Sequence, residues 1–325
     1  MPKKTVLVTG IGGNVGQGIL RNIKDSFPEI HLVGVDISEF SPGNYLCDKT
    51  YQVPFSNNKN YIPRIQEICN TEKVDLIIPS TDYEVYFLSK NQDSISASVI
   101  ASDYKTTEKY LDKYKSYLYH EENGIPFSKS WLPSNYIPIE GDIIAKPREG
   151  RGSRGILINP SSLDGMADDY LIQPLLKGKE ITCAVYVTKR NKLHGLFTME
   201  RELTNGTTSK SKVVFEHDEK LRDIALKMIS LKGLRGAFNI QSIVTKDNNI
   251  IPFEINCRIS GTNSIRHNLG FQDVKYTIEE HLFNLEPTMP KPIPGIATRI
   301  LLDVIYPGAT DESKLNNVEN KHLVY

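Results

Sequence analysis

The chain has 325 residues, enough for two domains, and its 39% hydrophobic and 24% charged content is that of an ordinary globular protein. Lys+Arg and Asp+Glu both number 39, so no net charge favours nucleic acid or an anionic membrane as partner, which leaves room only for a local basic site for a small anion. The four cysteines, Cys47, Cys69, Cys183 and Cys257, form no C-x-x-C pair, and the sequence shows neither a signal-peptide core nor an apolar run long enough to span a bilayer, so a cytoplasmic, reduced setting is expected.

Strand and helix patterns alternate over the first hundred residues. Strands are predicted at 5–9, 31–36 and 51–54, helices at 15–25 and 61–70 (Ile62, Ile65 and Ile68 inward), and a buried strand at 74–79. Such alternation indicates a parallel sheet, so residues 1–100 are expected to form a Rossmann-like α/β domain. A second α/β region covers 101–300. It opens with one long helix at 107–123, stopped by Gly124-Ile125-Pro126. A strand at 142–146 runs into a Gly/Arg loop at 149–155, and strands follow at 171–174, 180–188 and 193–200. An amphipathic helix spans 219–231. Strands 237–245 and 250–256 form a hairpin across Lys246-Asp247-Asn248-Asn249. A helix at 274–283, a proline-rich stretch and a last strand at 297–305 complete the pattern. Residues 301–325 make a C-terminal strand and tail, polar and expected to be disordered from about Thr310.

Thr9-Gly10-Ile11-Gly12-Gly13-Asn14-Val15-Gly16-Gln17-Gly18 follows the first strand and opens a helix. Glycines there turn the backbone tightly and bring helix N–H groups to an anion, and Asp36 ends the next strand, where a ribose-binding acid would sit. The turn resembles the T-G-x-x-G-x-x-G of short-chain dehydrogenases, so an NAD(P)-dependent reductase is one reading. Those enzymes need a Tyr-x-x-x-Lys well beyond the turn, and Tyr45/Lys49 and Tyr86/Lys90 come too early. The other reading is a glycine turn kept for packing.

Lys146 closes an apolar strand, and Arg148-Glu149-Gly150-Arg151-Gly152-Ser153-Arg154-Gly155 follows Pro147. Glycines let such a loop close over phosphates with its N–H groups as donors, while Lys146 supplies a point charge and the arginines forked donors. The Walker order is absent, and an exposed turn with surface arginines fits the same residues. Gln173-Pro174-Leu175 ends a strand whose backbone suits an adenine edge, and Glu180 suits ribose hydroxyls; alone this element is unspecific. In the hairpin, side chains two apart share a face, so Asn239 and Gln241 meet Glu254, Asn256 and Arg258 on one patch. Hard oxygen donors of that kind suit Mg²⁺, with Glu254 able to bridge two ions, Asn256 and Gln241 adding amide oxygens, and Arg258 steadying a transferring phosphate. A solvated polar ribbon with a Glu254–Arg258 charge pair has the same pattern.

Taken in order and at these spacings, the elements resemble the ATP-grasp superfamily, and most of all the ATP-binding halves of carbamoyl-phosphate synthase and their single-copy carboxylate–amine ligase relatives. The resemblance implies an ATP-grasp fold after a Rossmann-like pre-ATP-grasp domain, with a small lobe at about 105–175 and a large lobe at about 176–300. It implies ATP contacts at Lys113 (within Asp112-Lys113), Lys146, Gly150, Gly152, Ser153, Gln173, Leu175, Glu180 and Gln241. Metal ligands are then Gln241, Glu254 and Asn256, and catalytic residues Arg258, Asn256 and Lys146, on an N-x-Q … E-x-N-x-R signature that starts at Asn239. It further implies ATP with two Mg²⁺ ions (Mn²⁺ as substitute), and small-molecule carboxylate and amine substrates joined through an acyl phosphate. Neither nucleic acid nor a membrane is a partner, and a homodimer is compatible. The grasp unit occurs once, and Thr208 stands where the family's carboxyphosphate histidine is expected, which argues against bicarbonate. Asp82, Arg201, Lys210 and Arg266 (with His267) are the substrate candidates, Arg201 and Lys210 reading more readily as surface charges. A non-catalytic ATP-binding subunit of a larger synthetase is a further reading of the same residues.

Overall fold

Short apolar strands, too uniform to alternate, form the first layer because both their faces are covered. In the computed structural model, which describes residues 3–150, 152 and 154–325, β1 (Thr5–Thr9), β2 (His31–Asp36), β3 (Lys49–Gln52), β4 (Leu76–Ile78) and β5 (Ser98–Val99) pair in parallel in the order β3-β2-β1-β4-β5. Helices α1 (Asn14–Ser26), α2 (Tyr61–Glu72) and α3 (Asp82–Lys90) alternate with them. Leu7 points to Ile65, Ile68 and Leu88, while Val6 and Val8 point to Ile19, Leu20 and Ile23 of α1. On α2 the inward face is Tyr61, Ile65, Ile68 and Cys69; Ile62 is only partly buried.

The expected single helix at 107–123 is two helices, α4 (Tyr104–Leu111) and α5 (Lys113–Glu122). Asp112 breaks it. Its backbone is extended (φ −101°, ψ 114°), and its carboxylate accepts from the N–H groups of Tyr114 (2.9 Å) and Lys115 (3.2 Å) and pairs with Arg148. A capped helix start with a guanidinium partner is worth more than the backbone bonds a continuous helix would keep there.

β6 (Ile143–Pro147), β7 (Leu157–Ile158) and β8 (Tyr170–Pro174) form a small antiparallel sheet in the order β7-β6-β8. The larger sheet contains β9 (Gly178–Val187), β10 (Leu193–Thr204), β11 (Thr207–Val213), then, after α6 (Asp218–Ser230), β12 (Gly236–Thr245) and β13 (Ile250–Asn256). After α7 (Asn263–Asn268) and α8 (Asp273–His281), β14 (Ile296–Thr298) completes the antiparallel order β13-β12-β9-β10-β11-β14. Residue alternation gives this sheet two cores. Ile181, Cys183, Val185, Phe238 and Ile240 face Leu221, Ala225 and Met228 of α6. Ala184, Tyr186, Phe197, Met199 and Ala237 face Phe271, Val274 and Tyr276, in a cluster continuous with Val6, Val8 and α1. The first domain and the large sheet therefore share one core.

The last predicted strand is split into β14 and β15 (Val304–Ile305), and the tail is ordered: β15 pairs with β16 (Leu323–Val324). The tail lies on the first domain, where Thr50 N–H donates to Asn316 O (2.9 Å) and Val318 N–H to Cys47 O (2.7 Å). Backbone groups left open beside β3 give a polar tail the partners that its composition did not advertise. All four cysteines are free and buried. Among the described residues no helix is long and apolar enough to cross a membrane.

At Gly18 an added Cβ would lie 2.2 Å from Asn263 Oδ1, on a side chain already bonded to Asn22 (3.2 Å) and to the carbonyls of Val15 (3.2 Å) and Ser260 (3.0 Å). Gly18→Ala is therefore expected to destabilise the protein by about 1–3 kcal/mol through the α1–α7 contact, read as a lower denaturant midpoint.

Candidate functional site

The hairpin register sets one polar patch. Gln241 pairs with Glu254 and Asn239 with Asn256 across β12 and β13, and Gln241 also pairs with Thr182 on β9. The side chains form a relay: Arg201 donates to Gln241 Oε1, Gln241 Nε2 to Asn256 Oδ1 (2.8 Å), and Asn256 Nδ2 to Glu254 Oε1 (3.1 Å). Arg201 also donates to Glu180 Oε1, with its Nε at 2.8 Å. Asn239 accepts from Thr182 (2.8 Å), and its Nδ2 is buried without a partner.

Two ammonium groups face this patch from another layer. Lys146 on β6 is buried, its Nζ 5.0 Å from the Phe253 ring centre. Burial pushes its pKa down to about 8; Lys113 adds to the fall, while Glu254 and Glu180 oppose it. Burial works to raise Glu254, yet Lys113, Lys146, the Asn256 amide and Arg258 together hold it below the usual carboxylate range. Lys113 is presented by the start of α5 that Asp112 caps, with its Nζ 3.4 Å from Gly150 O. Asp82, Tyr83, Tyr110, Leu111, Lys113, Gly150, Glu254 and Asn256 line one pocket.

The loop after β6 is strapped down at its start. Arg148 N–H donates to Asp169 O (2.8 Å), and the Arg148 carbonyl accepts from Lys113 N–H (3.0 Å). Gly152 has φ +64°, and its backbone abuts the β10–β11 turn so closely that a Cβ on Gly206 would lie 2.3 Å from Gly152 O. Ser153 lies outside the described residues. The Gln173 side chain turns inward to Ser130 Oγ (2.8 Å), and Leu175 N–H is committed to Asp142 O (2.8 Å), so neither of those two groups is free to meet an adenine.

The first domain reaches the patch through the start of α3, whose Asp82 and Tyr83 line the same pocket. Asp82, the first residue of α3, accepts from Arg258 Nε (3.2 Å) and Nη2 (2.9 Å). Just behind it, the crevice at the ends of β1 and β4 is filled: Glu84 Oε2 accepts from Thr9 Oγ1 (2.7 Å) and Thr81 Oγ1 (2.8 Å). The glycine turn is closed too. Gly12 N–H donates to Asp36 Oδ2 (2.8 Å), and a Cβ on Gly16 would lie 2.5 Å from Gly10 O. Close packing explains these glycines, and Asp36 already holds the turn's own backbone.

Residues 110–262 match the family model described as ATP-grasp domain, and residues 6–101 the one described as PylC-like, N-terminal domain. Those residues, 110–262, form an ATP-grasp domain. No protein of curated function matches it in sequence. The fold is that of N5-carboxyaminoimidazole synthetase from Staphylococcus aureus, solved with ADP, at 14% identity and a TM-score of 0.76, over 92% of this chain and 82% of that one. The biotin carboxylase domain dimer of the Hydrogenobacter thermophilus 2-oxoglutarate carboxylase, with MgADP and bicarbonate, shares it at 16% identity and a TM-score of 0.69, over 89% and 71%. L-Amino acid ligase from Bacillus licheniformis does so at 12% identity and a TM-score of 0.70, over 88% and 75%.

Two expected substrate residues, Lys210 and Arg266, are placed otherwise. Lys210 pairs with exposed Glu202 (3.2 Å) on the face opposite Arg201, because Arg201 registers with Ser211 and neighbours alternate. Arg266 is fully buried; it pairs with Asp273 and donates to Ser260 Oγ and Thr262 Oγ1 (both 2.9 Å), which ties the loop after β13 to α8. Arg201 is on the patch but bound to Glu180 and Gln241. His267 bridges to Asp25 of α1 (2.9 Å), and Thr208 is buried on β11.

Removing Arg266 strands a buried carboxylate. Arg266→Met is expected to cost about 3–5 kcal/mol in chemical denaturation, and Arg266→Met/Asp273→Leu to recover much of it, as a structural pair should and a substrate-binding arginine should not.

Proposed function

We propose that this protein is an ATP- and Mg²⁺-dependent ligase that joins a small-molecule carboxylate to an amine, or less favourably a thiol, and releases ADP and phosphate. The observation that carries the reading is Lys146 and Lys113 facing the Arg201–Gln241–Asn256–Glu254 relay, two cations and a string of hard oxygens gathered around one carboxylate. Family membership supports it, as does the ADP, MgADP or ATP held by several proteins of this fold. The carboxylate oxygen attacks the γ-phosphorus and ADP leaves. The amine then attacks the acyl carbon, its proton is lost, and phosphate leaves. No covalent enzyme intermediate is needed; positioning and charge stabilisation do the work.

Lys146 and Lys113 hold the nucleotide phosphates, and Arg258, steered by Asp82, stabilises the transferring phosphoryl group. Glu254, with Asn256 and Gln241, fits Mg²⁺. Their amide oxygens keep a second lone pair beside the relay bonds, and a carboxylate among hard donors suits an ion that also takes water and phosphate oxygens. Among the described residues no group of three His, Cys, Asp or Glu forms a self-sufficient metal cage. When bound, the metal neutralises phosphate charge; two ions, with Mn²⁺ as substitute, belong to the proposal. Assembly as a homodimer does too, after the biotin carboxylase domain dimer.

Glu254→Gln is expected to abolish ADP formation against pooled amino acids and small carboxylates with the fold intact, at some cost in thermal stability from the buried Lys146 left without its counter-charge. Turnover retained by that variant contradicts the metal assignment, and ATP binding with no ADP release in the wild type indicates a non-catalytic subunit. Since Lys146 in the free protein loses its proton near pH 8 and phosphates favour the charged form, ATP affinity is expected to fall about tenfold per pH unit above 8. Lys146→Arg flattens that profile in calorimetry, and Lys146→Ala raises the ATP requirement at every pH.

A further inference from the structure

The pocket beside Glu254 has an aromatic wall that the charges of the site do not account for. Glu254 and Asn256 line it from β13, Asp82 and Tyr83 from the start of α3, and Tyr110 and Leu111 from the end of α4, while Lys146, Glu180 and Gln241 stand outside it. It is therefore the space on the first-domain side of Glu254, next to the Arg258 that Asp82 holds. Helices α3 and α4 are tied together where the Ser89 and Thr107 hydroxyls lie 3.1 Å apart. The cavity measures ≈ 10 Å³, about the space one water needs, so a ligand enters only where a wall yields.

The walls differ in how far they can yield. Leu111 is partly exposed and has room to turn, whereas Tyr110 is buried in the core that the large sheet shares with α6. The Tyr110 hydroxyl is 3.1 Å from Nε2 of His120, a fully buried side chain whose Nδ1 is 3.2 Å from Pro126 O. A carbonyl can only accept, so Nδ1 carries the proton, Nε2 is the acceptor, and Tyr110 donates. Burial pushes His120 down to about 4, so the ring stays neutral at physiological pH and keeps both bonds. Phe127 packs on His120, with ring centres 4.9 Å apart. The hydroxyl of Tyr110 is thus committed to its anchor, and its ring is what it offers a ligand.

We propose that this pocket takes the carboxylate to be activated, and that Tyr110, held by His120, sets how much bulk the carbon next to the carboxyl group can carry. This rests on the ligase reading and narrows its substrate class. An acid with a slim α-carbon displaces the Leu111 side chain and reaches Glu254 and Asn256, with the Lys113 ammonium on the same pocket attracting its charge. An acid branched at that carbon meets a ring that cannot turn aside. Tyr110 and Leu111 are then specificity-determining residues, and His120 is a positioning residue that acts through Tyr110.

The test uses the full chain with MgADP and ligand-observed NMR, comparing acetate and propionate with pivalate, which is branched at the carbon next to the carboxyl group. Acetate and propionate are expected to bind saturably and about tenfold or more tighter than pivalate, the discrimination that a methyl or two commands in a packed site. Leu111→Ala and Tyr110→Leu are expected to narrow that ratio at least about threefold. His120→Leu is expected to narrow it less, because the ring is loosened and not removed; should that variant fail to fold, Tyr110→Phe breaks the same bond. A loss of stability alone weakens all three acids together and leaves the ratio unchanged. Pivalate bound as tightly as acetate, no saturable binding of any of the three, or one ratio in every wall variant overturns the proposal. Turnover is read separately with MgATP and hydroxylamine, whose nitrogen attacks the acyl carbon of an acyl phosphate, so that phosphate leaves and a hydroxamate forms. Size-selective binding with no hydroxamate from a wide panel of carboxylates sinks the ligase reading and leaves the wall standing.

Discussion

Lys146 and Glu254 belong to different sheets, and each is a buried charge that the other opposes across the layers around the site. An ammonium at that depth is unfavourable by itself, and the aromatic face of Phe253 recovers only part of the lost hydration. Glu254 supplies the opposite charge, and the Asn256, Gln241 and Arg201 side chains fix its orientation. With Lys113 as a second cation, the patch holds more positive than negative charge. A polyanion with its own metal ion is the kind of ligand that balances such a patch.

The first domain contributes packing and the start of α3. Its crevice between β1 and β4, where open parallel sheets commonly bind ligands, is filled by Glu84 and its hydroxyl partners. Its glycine turn is closed by Asp36 and by the approach of α7 to α1. What remains is Asp82, placed at the capped start of α3 so that it meets Arg258. The buried Arg266–Asp273 pair and the His267–Asp25 bridge then hold the loop after β13 against both α8 and α1. Arg258 is thereby fixed from two sides, the preorganisation that the proposed phosphoryl transfer needs.

Charge placement on the large sheet follows one rule. Glu180, Thr182, Arg201, Gln241, Glu254 and Asn256 share a face because neighbouring strands register them together, and the same face turns apolar toward Ala184, Tyr186 and Phe197, where helices cover it. The polar end of the face is therefore the one the small sheet overhangs, and the apolar end is the one α8 seals.

Period-two alternation and the short turn at 246–249 were enough, from residues alone, to bring Asn239 and Gln241 onto one patch with Glu254 and Asn256, because which side chains share a face is a local property; the pairing of Gln241 with Glu254 also passes a register shift between Gln241 and Ser242. The parallel first domain was legible for a similar reason, since apolar strands and amphipathic helices each carry their own period. Nothing local distinguished Arg201 from Lys210, or Arg266 from a substrate arginine; which side of a strand faces the site, and which charge finds a buried partner, depend on elements far away in the chain. The break at Asp112 is likewise set by Arg148, 36 residues on. The tail beyond Thr310 is held by backbone groups of β3 that no composition reveals. The sequence by itself thus determined most of the long strands, the hairpin residues Gln241, Glu254 and Asn256, and the family. Only the tertiary structure decided which charges the site keeps, because pairing across distant elements is settled by packing and desolvation and leaves no periodic trace.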